Sequence, residues 1–201
     1  MGMATVLLLH SALGRRPAIT GLAETIRSLG HEAVAPDLFE GAVFDGGTDG
    51  YAAAMAHLEA DGEAAASRVT QVYAALTGPV VVLGFSWGAG QAQRLAETEP
   101  GVVGALLVGG GGRYGGTWDD GGRWRPGIPL AVHHAIADEW VDADPLAALV
   151  REAATNGSDV SDYVYPGSGH LFMDPELTTE FDAEGAELFA ARVQGFLSRF
   201  A

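Results

Sequence analysis

The sequence predicts an open, mostly parallel α/β sheet of about six to seven strands with helices on both faces. Short apolar segments, typical of strands buried on both faces, alternate with amphipathic helical segments along the whole chain. The chain has 201 residues, of which 48% are hydrophobic, and this is enough for one sizeable core. We therefore expect a single domain over residues 1–201 with a minimal cap.

The predicted strands are apolar segments, each followed by a residue that favours a turn or loop. In chain order they span residues 4–10, 31–35, 79–83, 102–108, 129–137 and 161–165. The predicted helices span residues 17–30, 51–77, 89–97, 144–156 and 176–200. Gly62 is a candidate break in the second helix. The glycine-rich segments 39–50 and 109–127 are expected to be loops.

Composition excludes several kinds of chemistry. The chain has no cysteine, so it cannot form a disulfide, a thiolate nucleophile or a cysteine-based metal site. All 11 basic residues are arginine, which excludes a lysine Schiff base and a P-loop lysine. The net charge of -15 argues against nucleic acid and anionic membrane surfaces as partners. Because the sequence shows no signal peptide and no membrane-length apolar stretch, we expect a cytoplasmic protein.

The segment 84–88 reads Gly-Phe-Ser-Trp-Gly and directly follows the apolar strand 79–83. This is the G-x-S-x-G pattern of a tight turn between a strand and a helix, and it exposes a serine at the strand end. The glycines let neighbouring backbone approach, and the N-terminus of the following helix favours negative charge near the serine. We predict that Ser86 is a catalytic nucleophile. The alternative is a structural turn that happens to contain a serine.

A serine nucleophile needs a base, and the base needs a group that orients it. In this type of sheet the order along the chain is serine, acid, histidine, with each residue at a strand end. Asp138 directly follows the strand 129–137, and His170 lies in the glycine-rich loop after the last strand. We predict Asp138 as the acid and His170 as the base. The alternatives are a capping aspartate and a solvated loop histidine.

Two backbone N–H groups are expected to hold the negatively charged oxygen of a reaction intermediate. One belongs to Trp87, the residue after the serine. The other belongs to the loop 11–14 after the first strand, where we predict Ala12. Ser11 in the same loop is a candidate substrate contact.

The loop 109–127 lies where this kind of fold often carries a lid. Its arginines are candidates for binding a substrate carboxylate, and its tryptophans are candidates for the wall of a pocket. The candidates are Arg113, Arg123, Arg125, Trp118 and Trp124. The alternative is that the whole loop is solvated and has no contact with a substrate.

Three segments together resemble the dienelactone hydrolase family of α/β-hydrolases over nearly the full length of the chain. Segment 84–88 is similar to the family's G-[FY]-C-x-G, and segment 137–141 is similar to its acid segment. Segment 165–172, Tyr-Pro-Gly-Ser-Gly-His-Leu-Phe, is similar to the family's Y-P-G-A-x-H-x-F and is the most specific of the three. Segment 34–38 matches a further common family stretch. The resemblance implies an α/β-hydrolase fold with Ser86, Asp138 and His170 as a catalytic triad.

The chain departs from the family pattern at several positions. The family nucleophile is usually cysteine, and the type enzyme has a glutamate after the first strand that takes part in thiol activation. Ser86 and Ser11 stand at those positions here. A serine needs only a general base, so the change keeps hydrolysis plausible and argues against dienelactone itself as the substrate. The arginines that hold the substrate carboxylate in the family have no clear match.

Together these features predict a hydrolase that cleaves a small ester or lactone through an acyl-enzyme, with no metal or organic cofactor. Two alternatives remain open. One is a thioesterase or acyltransferase that uses the same triad. The other is a non-catalytic binding module on a hydrolase fold, although a binding role would not require all three triad residues. The oligomeric state and the exact substrate are not determined by the sequence.

Overall fold

A computed structural model describes residues 4–114 and 122–201. Within these residues, six strands form one sheet in the order β2-β1-β3-β4-β5-β6, and all pairings between these strands are parallel. The strands are β1 (Thr5–Leu9), β2 (Glu32–Val34), β3 (Val80–Phe85), β4 (Val102–Val108), β5 (Leu130–Ala135) and β6 (Val160–Tyr165). The predicted α/β class, with an open parallel sheet, is confirmed.

In the part of the chain that the structure describes, five α-helices cover the two faces of the sheet. They are α1 (Pro17–Ser28), α2 (Gly47–Ala74), α3 (Trp87–Thr98), α4 (Ala143–Thr155) and α5 (Ala183–Leu197), and a 3-10 turn, Ser198–Phe200, follows the last. Within the described parts of the chain, no helix is both long enough and apolar enough to span a membrane.

Two hydrophobic cores lie on opposite faces of the sheet because successive strand residues point to opposite sides. In β1, Val6 and Leu8 belong to one core, whereas Leu7 and Leu9 belong to the other. The first core lies mainly under α1 and α5, and the second mainly under α2, α3 and α4. All four of these β1 side chains are fully buried, which explains why positions 6–9 of the strand are all apolar.

Two predicted helices differ most from their bounds in the structure. The last helix begins at Ala183, not at residue 176, because Asp182 caps it by accepting a hydrogen bond from the N–H of Glu184. The segment before it forms turns instead, in which the N–H of Glu180 donates to the carbonyl of Leu177. The second helix is longer than predicted at its start and continues through Gly62, since one interior glycine costs a helix only about 1 kcal/mol.

The parallel arrangement places the carboxyl ends of all six strands at one edge of the sheet. The loops after β1, β3, β5 and β6 therefore meet there, although they are far apart in sequence. The central strand β3 pairs with β1 on one side and β4 on the other. The predicted site residues follow these strand ends.

Candidate active site

Ser86 sits in a strained turn between β3 and α3. Its backbone has φ 52° and ψ -116°, a conformation that a non-glycine residue rarely adopts. Hydrogen bonds hold it there: its N–H donates to the carbonyl of Val108 at 2.7 Å, and its own carbonyl accepts from the N–H of Ala89 at 2.8 Å. The turn lifts the side chain of Ser86 above the carboxyl end of the sheet, where it remains partly exposed.

The two glycines of the turn are required by close backbone contacts. A Cβ atom on Gly84 would clash with the carbonyl of Gly88, and a Cβ on Gly88 would clash with the carbonyl of Leu9 in β1. Any side chain at either position would push α3 away from the sheet. This packing explains physically the glycine spacing found in the sequence.

His170 connects Ser86 to Asp138 through two short hydrogen bonds. The distance from His170 Nε2 to Ser86 Oγ is 2.8 Å, and the distance from His170 Nδ1 to Asp138 Oδ2 is also 2.8 Å. The carboxylate partner places the ring proton on Nδ1, which leaves Nε2 to accept the hydroxyl proton of Ser86. His170 and Asp138 are only 4% and 7% exposed, so the pair is shielded from water.

Asp138 is itself held in place by the chain that follows it. Its Oδ1 accepts a hydrogen bond from the N–H of Trp140 at 3.0 Å, while Oδ2 faces His170. The loop that carries His170 is tied in a similar way, because the N–H of Leu171 donates to Glu180 Oε2 at 2.8 Å. The three side chains are therefore positioned by local hydrogen bonds in separate loops.

Tyr51 and Trp140 flank His170. Their rings stack on each other with centroids 5.1 Å apart and an interplanar angle of 27°. The centroid of the His170 ring lies 5.9 Å from Trp140 and 6.3 Å from Tyr51. Burial and the carboxylate of Glu180 raise the pKa of Tyr51, so its phenol stays protonated and donates to Glu180 Oε1 at 2.9 Å.

The N–H groups of Ala12 and Trp87 have no protein acceptor within the described residues. His10 controls the backbone beside Ala12: the N–H of Leu38 donates to His10 Nε2 at 3.0 Å, so Nδ1 carries the ring proton and donates to the carbonyl of Ser11 at 2.8 Å. That carbonyl and the N–H of Ala12 belong to the same planar peptide group. Burial lowers the pKa of His10 and keeps its ring neutral.

A buried ion pair joins the loop after β1 to the loop that carries His170. Arg16 Nε lies 2.6 Å from Asp174 Oδ2, and both side chains are almost fully buried. Arg16 also donates to the carbonyl of Phe44 at 3.0 Å and lies 3.3 Å from Glu176. The pair holds the loop containing Ala12 in fixed relation to His170.

The structure argues against Arg113 as a direct substrate contact. Its Nη1 lies 2.6 Å from Glu97, and its Nε and Nη2 lie 2.7 and 3.1 Å from the two oxygens of Glu152. All three nitrogens are therefore engaged by carboxylates of α3 and α4. Arg113 anchors the glycine-rich loop to these helices, and its side chain is only 10% exposed.

The other candidate substrate residues have different positions. Ser11 is buried, and its hydroxyl accepts from the N–H of Leu13 at 3.1 Å, which stabilises the turn after β1. The Arg123 side chain is 76% exposed and approaches Glu152 only at 4.0 Å. Trp124 is fully buried and donates to the carbonyl of Ile128. Trp118 lies outside the described residues.

Arg125 does not face a substrate either, because its guanidinium donates to the carbonyls of Ala96 and Val102. It therefore fastens the end of the glycine-rich loop to the end of α3 and the start of β4. Among the residues that the structure describes, no cluster of three or more His, Asp or Glu side chains is arranged to hold a metal ion.

Sequence reasoning missed Tyr51, Trp140, His10, Arg16 and Asp174. Tyr51 stands near the start of an alanine-rich helix, and Trp140 follows the predicted acid, so each carried a weak signal. Nothing in the sequence distinguishes Arg16 from its neighbour Arg15, or Asp174 from other acidic residues. Their pairing depends on two loops that only the fold brings together.

Known proteins agree with this architecture. The chain matches the model of the Dienelactone hydrolase family over residues 3–201. No curated protein is significantly similar to it in sequence.

Among solved structures, it resembles the dienelactone hydrolase-like promiscuous phosphotriesterase P91 from metagenomic libraries. The two share 20% identity with a TM-score of 0.70, and the match covers 100% of this chain and 88% of P91. It also resembles a protein named m3DLH, with 19% identity and a TM-score of 0.77, and this match covers 100% of this chain and 88% of m3DLH. The esterase PE8 shares 18% identity with a TM-score of 0.64, and this match covers 100% of this chain and 94% of PE8. These likenesses show the α/β-hydrolase fold, and the family match over nearly the entire sequence shows that the chain belongs to the dienelactone hydrolase family.

Proposed function

We propose that this chain is a serine hydrolase that cleaves a small ester or lactone with Ser86 as nucleophile. Membership of the dienelactone hydrolase family supports a hydrolase. The single observation that carries the finer assignment is the continuous hydrogen-bonded series Ser86–His170–Asp138, with both heavy-atom distances at 2.8 Å. A nucleophile, a base and an orienting acid in contact are the elements that acyl transfer requires.

The first half of the proposed reaction forms an acyl-enzyme. His170 Nε2 takes the hydroxyl proton of Ser86 as Oγ attacks the substrate carbonyl carbon. Asp138 holds the imidazole in the correct tautomer and stabilises the positive charge that forms on it. His170 then gives the proton to the leaving oxygen, the bond to the leaving group breaks, and the acyl group remains on Ser86.

The second half regenerates the enzyme by the same groups. His170 takes a proton from water, the resulting hydroxide equivalent attacks the acyl carbon, and the proton returns to Ser86 Oγ as the acid leaves. In both halves the carbonyl oxygen becomes negatively charged. The unpaired N–H groups of Ala12 and Trp87, together with the N-terminus of α3, are proposed to stabilise that charge.

The orientation of the Ala12 amide supports this role. Because His10 binds the carbonyl of Ser11, the N–H on the other side of that peptide group must point in the opposite direction. The peptide group is thus oriented before substrate arrives, which is the condition under which backbone donors are most effective.

A fluorophosphonate probe tests the proposal directly. The parent protein and the variants Ser86→Ala and Ser168→Ala are incubated with the probe and analysed by intact mass. We expect one adduct on the parent and on the control variant Ser168→Ala, which changes an exposed serine in the loop of His170. We expect none on Ser86→Ala. A folded parent without an adduct would favour the binding-module alternative.

A panel of short-chain esters and lactones then distinguishes hydrolysis from transfer. A hydrolase releases the free acid at a rate that added alcohol does not change. If a small alcohol competes with water for the acyl group, an acyltransferase on the same triad is the better description. Preference for thioesters over oxygen esters of the same acid would indicate a thioesterase.

A further inference from the structure

We propose that Tyr51 and Trp140, which we name the aromatic wall, form the subsite for the leaving group and select uncharged, planar aromatic alcohols. This inference rests on the proposed function, because it assumes that Ser86 forms an acyl-enzyme. It adds the chemical class of the group that departs.

The aromatic wall is held rigidly relative to the triad. The backbone N–H of Trp140 donates to Asp138 Oδ1 at 3.0 Å, so the tryptophan is tied to the acid that orients His170. The phenol of Tyr51 donates to Glu180, whose second oxygen accepts from the N–H of Leu171, the residue after His170. The phenol of Tyr51 and the backbone of Trp140 are therefore held by groups that also hold the base, and the Trp140 ring stacks on Tyr51.

The position of the wall assigns it to the leaving group rather than the acyl group. The leaving oxygen receives its proton from His170 Nε2, so it must come within hydrogen-bond distance of that atom. Both rings of the wall contact the His170 ring, at centroid distances of 5.9 and 6.3 Å. The N–H groups proposed to bind the carbonyl oxygen belong instead to the loop after β1 and the start of α3.

Trp140 keeps a large part of its surface open although one ring face is stacked on Tyr51. It is 54% exposed, which is unusual for a tryptophan whose backbone and ring are both fixed. A planar ring that stacks on it would remove apolar surface from water and gain the specific attraction between aromatic rings. An alkyl alcohol of similar size would gain only the first of these.

The charges around the wall disfavour an anionic leaving group. Glu180 accepts a hydrogen bond from the phenol of Tyr51, and Asp138 accepts one from the backbone N–H of Trp140, so two acidic side chains lie next to the wall. All 11 arginines lie in the described residues, and there none of them makes an ion pair, a hydrogen bond or a ring contact with the wall or with His170. Arg16 is the arginine that acts on Tyr51 through space, and it is already paired with Asp174.

The experiment compares acetate esters that share one acyl group and differ in the alcohol. The substrates are phenyl acetate, 2,2,2-trifluoroethyl acetate and 4-carboxyphenyl acetate, and kcat/KM reports the acylation step in which the alcohol departs. The proteins are the parent, Trp140→Leu, Trp140→Phe and the control Ile136→Ala. Ile136 is an exposed apolar residue that follows the same strand as Asp138 and makes no ring contact with His170.

In Trp140→Leu we expect kcat/KM for phenyl acetate to fall about tenfold, and that for trifluoroethyl acetate to change by less than about twofold. For each ester, the ratio of kcat/KM in the variant to kcat/KM in the parent cancels the intrinsic reactivity of that ester. Trp140→Phe should keep most of the preference, and Ile136→Ala should keep all of it. Every substrate gives the same acetyl-enzyme, from which the alcohol has already departed. Where deacylation limits turnover, kcat of Trp140→Leu should therefore equal that of the parent.

The acidic side chains beside the aromatic wall predict a difference between a neutral and an anionic aryl ester. The parent should hydrolyse 4-carboxyphenyl acetate about tenfold more slowly than phenyl acetate at low salt, and the difference should narrow as salt is added. Equal rates for the two esters at low salt, or a faster reaction of the anionic ester, would overturn this part of the proposal.

Other outcomes would overturn the assignment of Trp140. Equal losses for the aryl and alkyl esters in Trp140→Leu would show that Trp140 only supports the triad. The same variants can be tested on phenyl acetate, phenyl butyrate and phenyl benzoate, which differ only in the acyl group. If the loss of kcat/KM in Trp140→Leu depends on that acyl group, the subsite lies on the acyl side. Labelling of Ser86 by the fluorophosphonate separates these results from failure of the proposed function, with which this proposal would also fall.

Discussion

Two groups of buried polar residues in the described parts of the chain differ in how their hydrogen bonds are completed. In the triad, Ser86, His170 and Asp138 are bonded in series, and the serine at one end remains partly exposed. In the second group, Arg113 is bonded on every nitrogen by Glu97 and Glu152. We name this second group the arginine network.

The arginine network extends to neighbouring polar groups and leaves few of them unpaired. Gln93 donates to Glu97 at 3.1 Å and accepts from the N–H of Gly112 at 2.9 Å. Glu152 also accepts from the N–H of Trp124 at 2.9 Å. Burial raises the pKa of Glu97, whereas the hydrogen bonds from Arg113 overcome the effect of burial on Glu152 and lower its pKa.

The comparison teaches that buried charge alone does not identify a reactive site. An arginine in a glycine-rich loop is a reasonable candidate for substrate binding, but each nitrogen of Arg113 is bonded to a carboxylate and its side chain is only 10% exposed, so its role is structural. The triad instead ends in a hydroxyl, and the neighbouring N–H groups of Ala12 and Trp87 have no acceptor in the described residues. The candidate triad therefore differs from the arginine network in having N–H groups without an acceptor in the described residues beside it, at the end of a strand.

The largest expected effect is on activity at the triad. Ser86→Ala should lower kcat/KM for any ester substrate by about 10⁴-fold or more, because the nucleophile is lost. The strained φ at position 86 is a cost of the turn itself and remains when alanine replaces serine. The thermal unfolding temperature should therefore stay the same or rise slightly. Steady-state kinetics and calorimetry on the same preparations test both parts. Residual activity within about tenfold of the parent would remove Ser86 from the mechanism.

The reverse pattern is expected in the arginine network. Arg113→Met should lower the free energy of unfolding by about 3 kcal/mol, because Glu97 is left buried without its partner. The fluorophosphonate reactivity of the folded fraction should be nearly unchanged. Chemical denaturation and labelling measure the two effects separately. The double variant Arg113→Met/Glu97→Gln should recover part of the stability, and failure to recover any would show that the charge is not the cause.

His10 tests whether a fully bonded residue can still serve the reactive site. His10→Phe removes the hydrogen bond to the carbonyl of Ser11 and should lower kcat by about 10²-fold, because the Ala12 N–H is no longer oriented. His10→Asn places an amide N–H near the position of Nδ1 and should retain more activity. Kinetics at a temperature where both variants are folded provide the measurement. Equal activity of the two variants would contradict the proposed role of the Ser11 peptide group.

His133 differs from His10 because only one of its two ring nitrogens has a partner in the described residues. It tests what an incompletely bonded histidine outside the candidate triad does to stability. Its Nδ1 bonds the hydroxyl of Tyr165 at 2.8 Å, whereas its Nε2 is buried without a partner in the described residues. Burial, with a smaller effect of Arg192, lowers the pKa of His133 to about 3. Between this value and the ordinary value near 6.5, the unfolded chain binds a proton that the folded chain does not.

Stability should therefore fall as the pH is lowered through that window, by about 1.4 kcal/mol per pH unit from His133 alone. Above about pH 6.5 the residue is neutral in both states and contributes no slope. His133→Phe should flatten the pH dependence of chemical denaturation between these limits. The control is His134→Gln, because the Asp162 hydrogen bond raises the pKa of His134 and its effect has the opposite sign. An unchanged slope in His133→Phe would show that other groups titrate.

The fold and the candidate triad could be predicted because each depends on local pattern and chain order. Apolar strands alternating with amphipathic helices require a parallel sheet, and the sheet brings its carboxyl ends to one edge. The glycines around Ser86 and the loop around His170 carried specific local signals, and the structure brings these two residues together with Asp138. Boundaries were less well predicted where capping decided them, as at Asp182.

The sequence by itself therefore determined the sheet and the three strand-end residues, because patterns of burial and turn geometry are written within short segments. Only the tertiary structure decided which residues surround them. The pairing of Arg16 with Asp174, the stacking of Tyr51 on Trp140 and the engagement of Arg113 by Glu97 join loops and helices distant in the chain. Such contacts depend on the packing of whole elements. A side chain's hydrogen-bonding capacity can be read from its type, whereas the partner that fills it depends on where the fold places it.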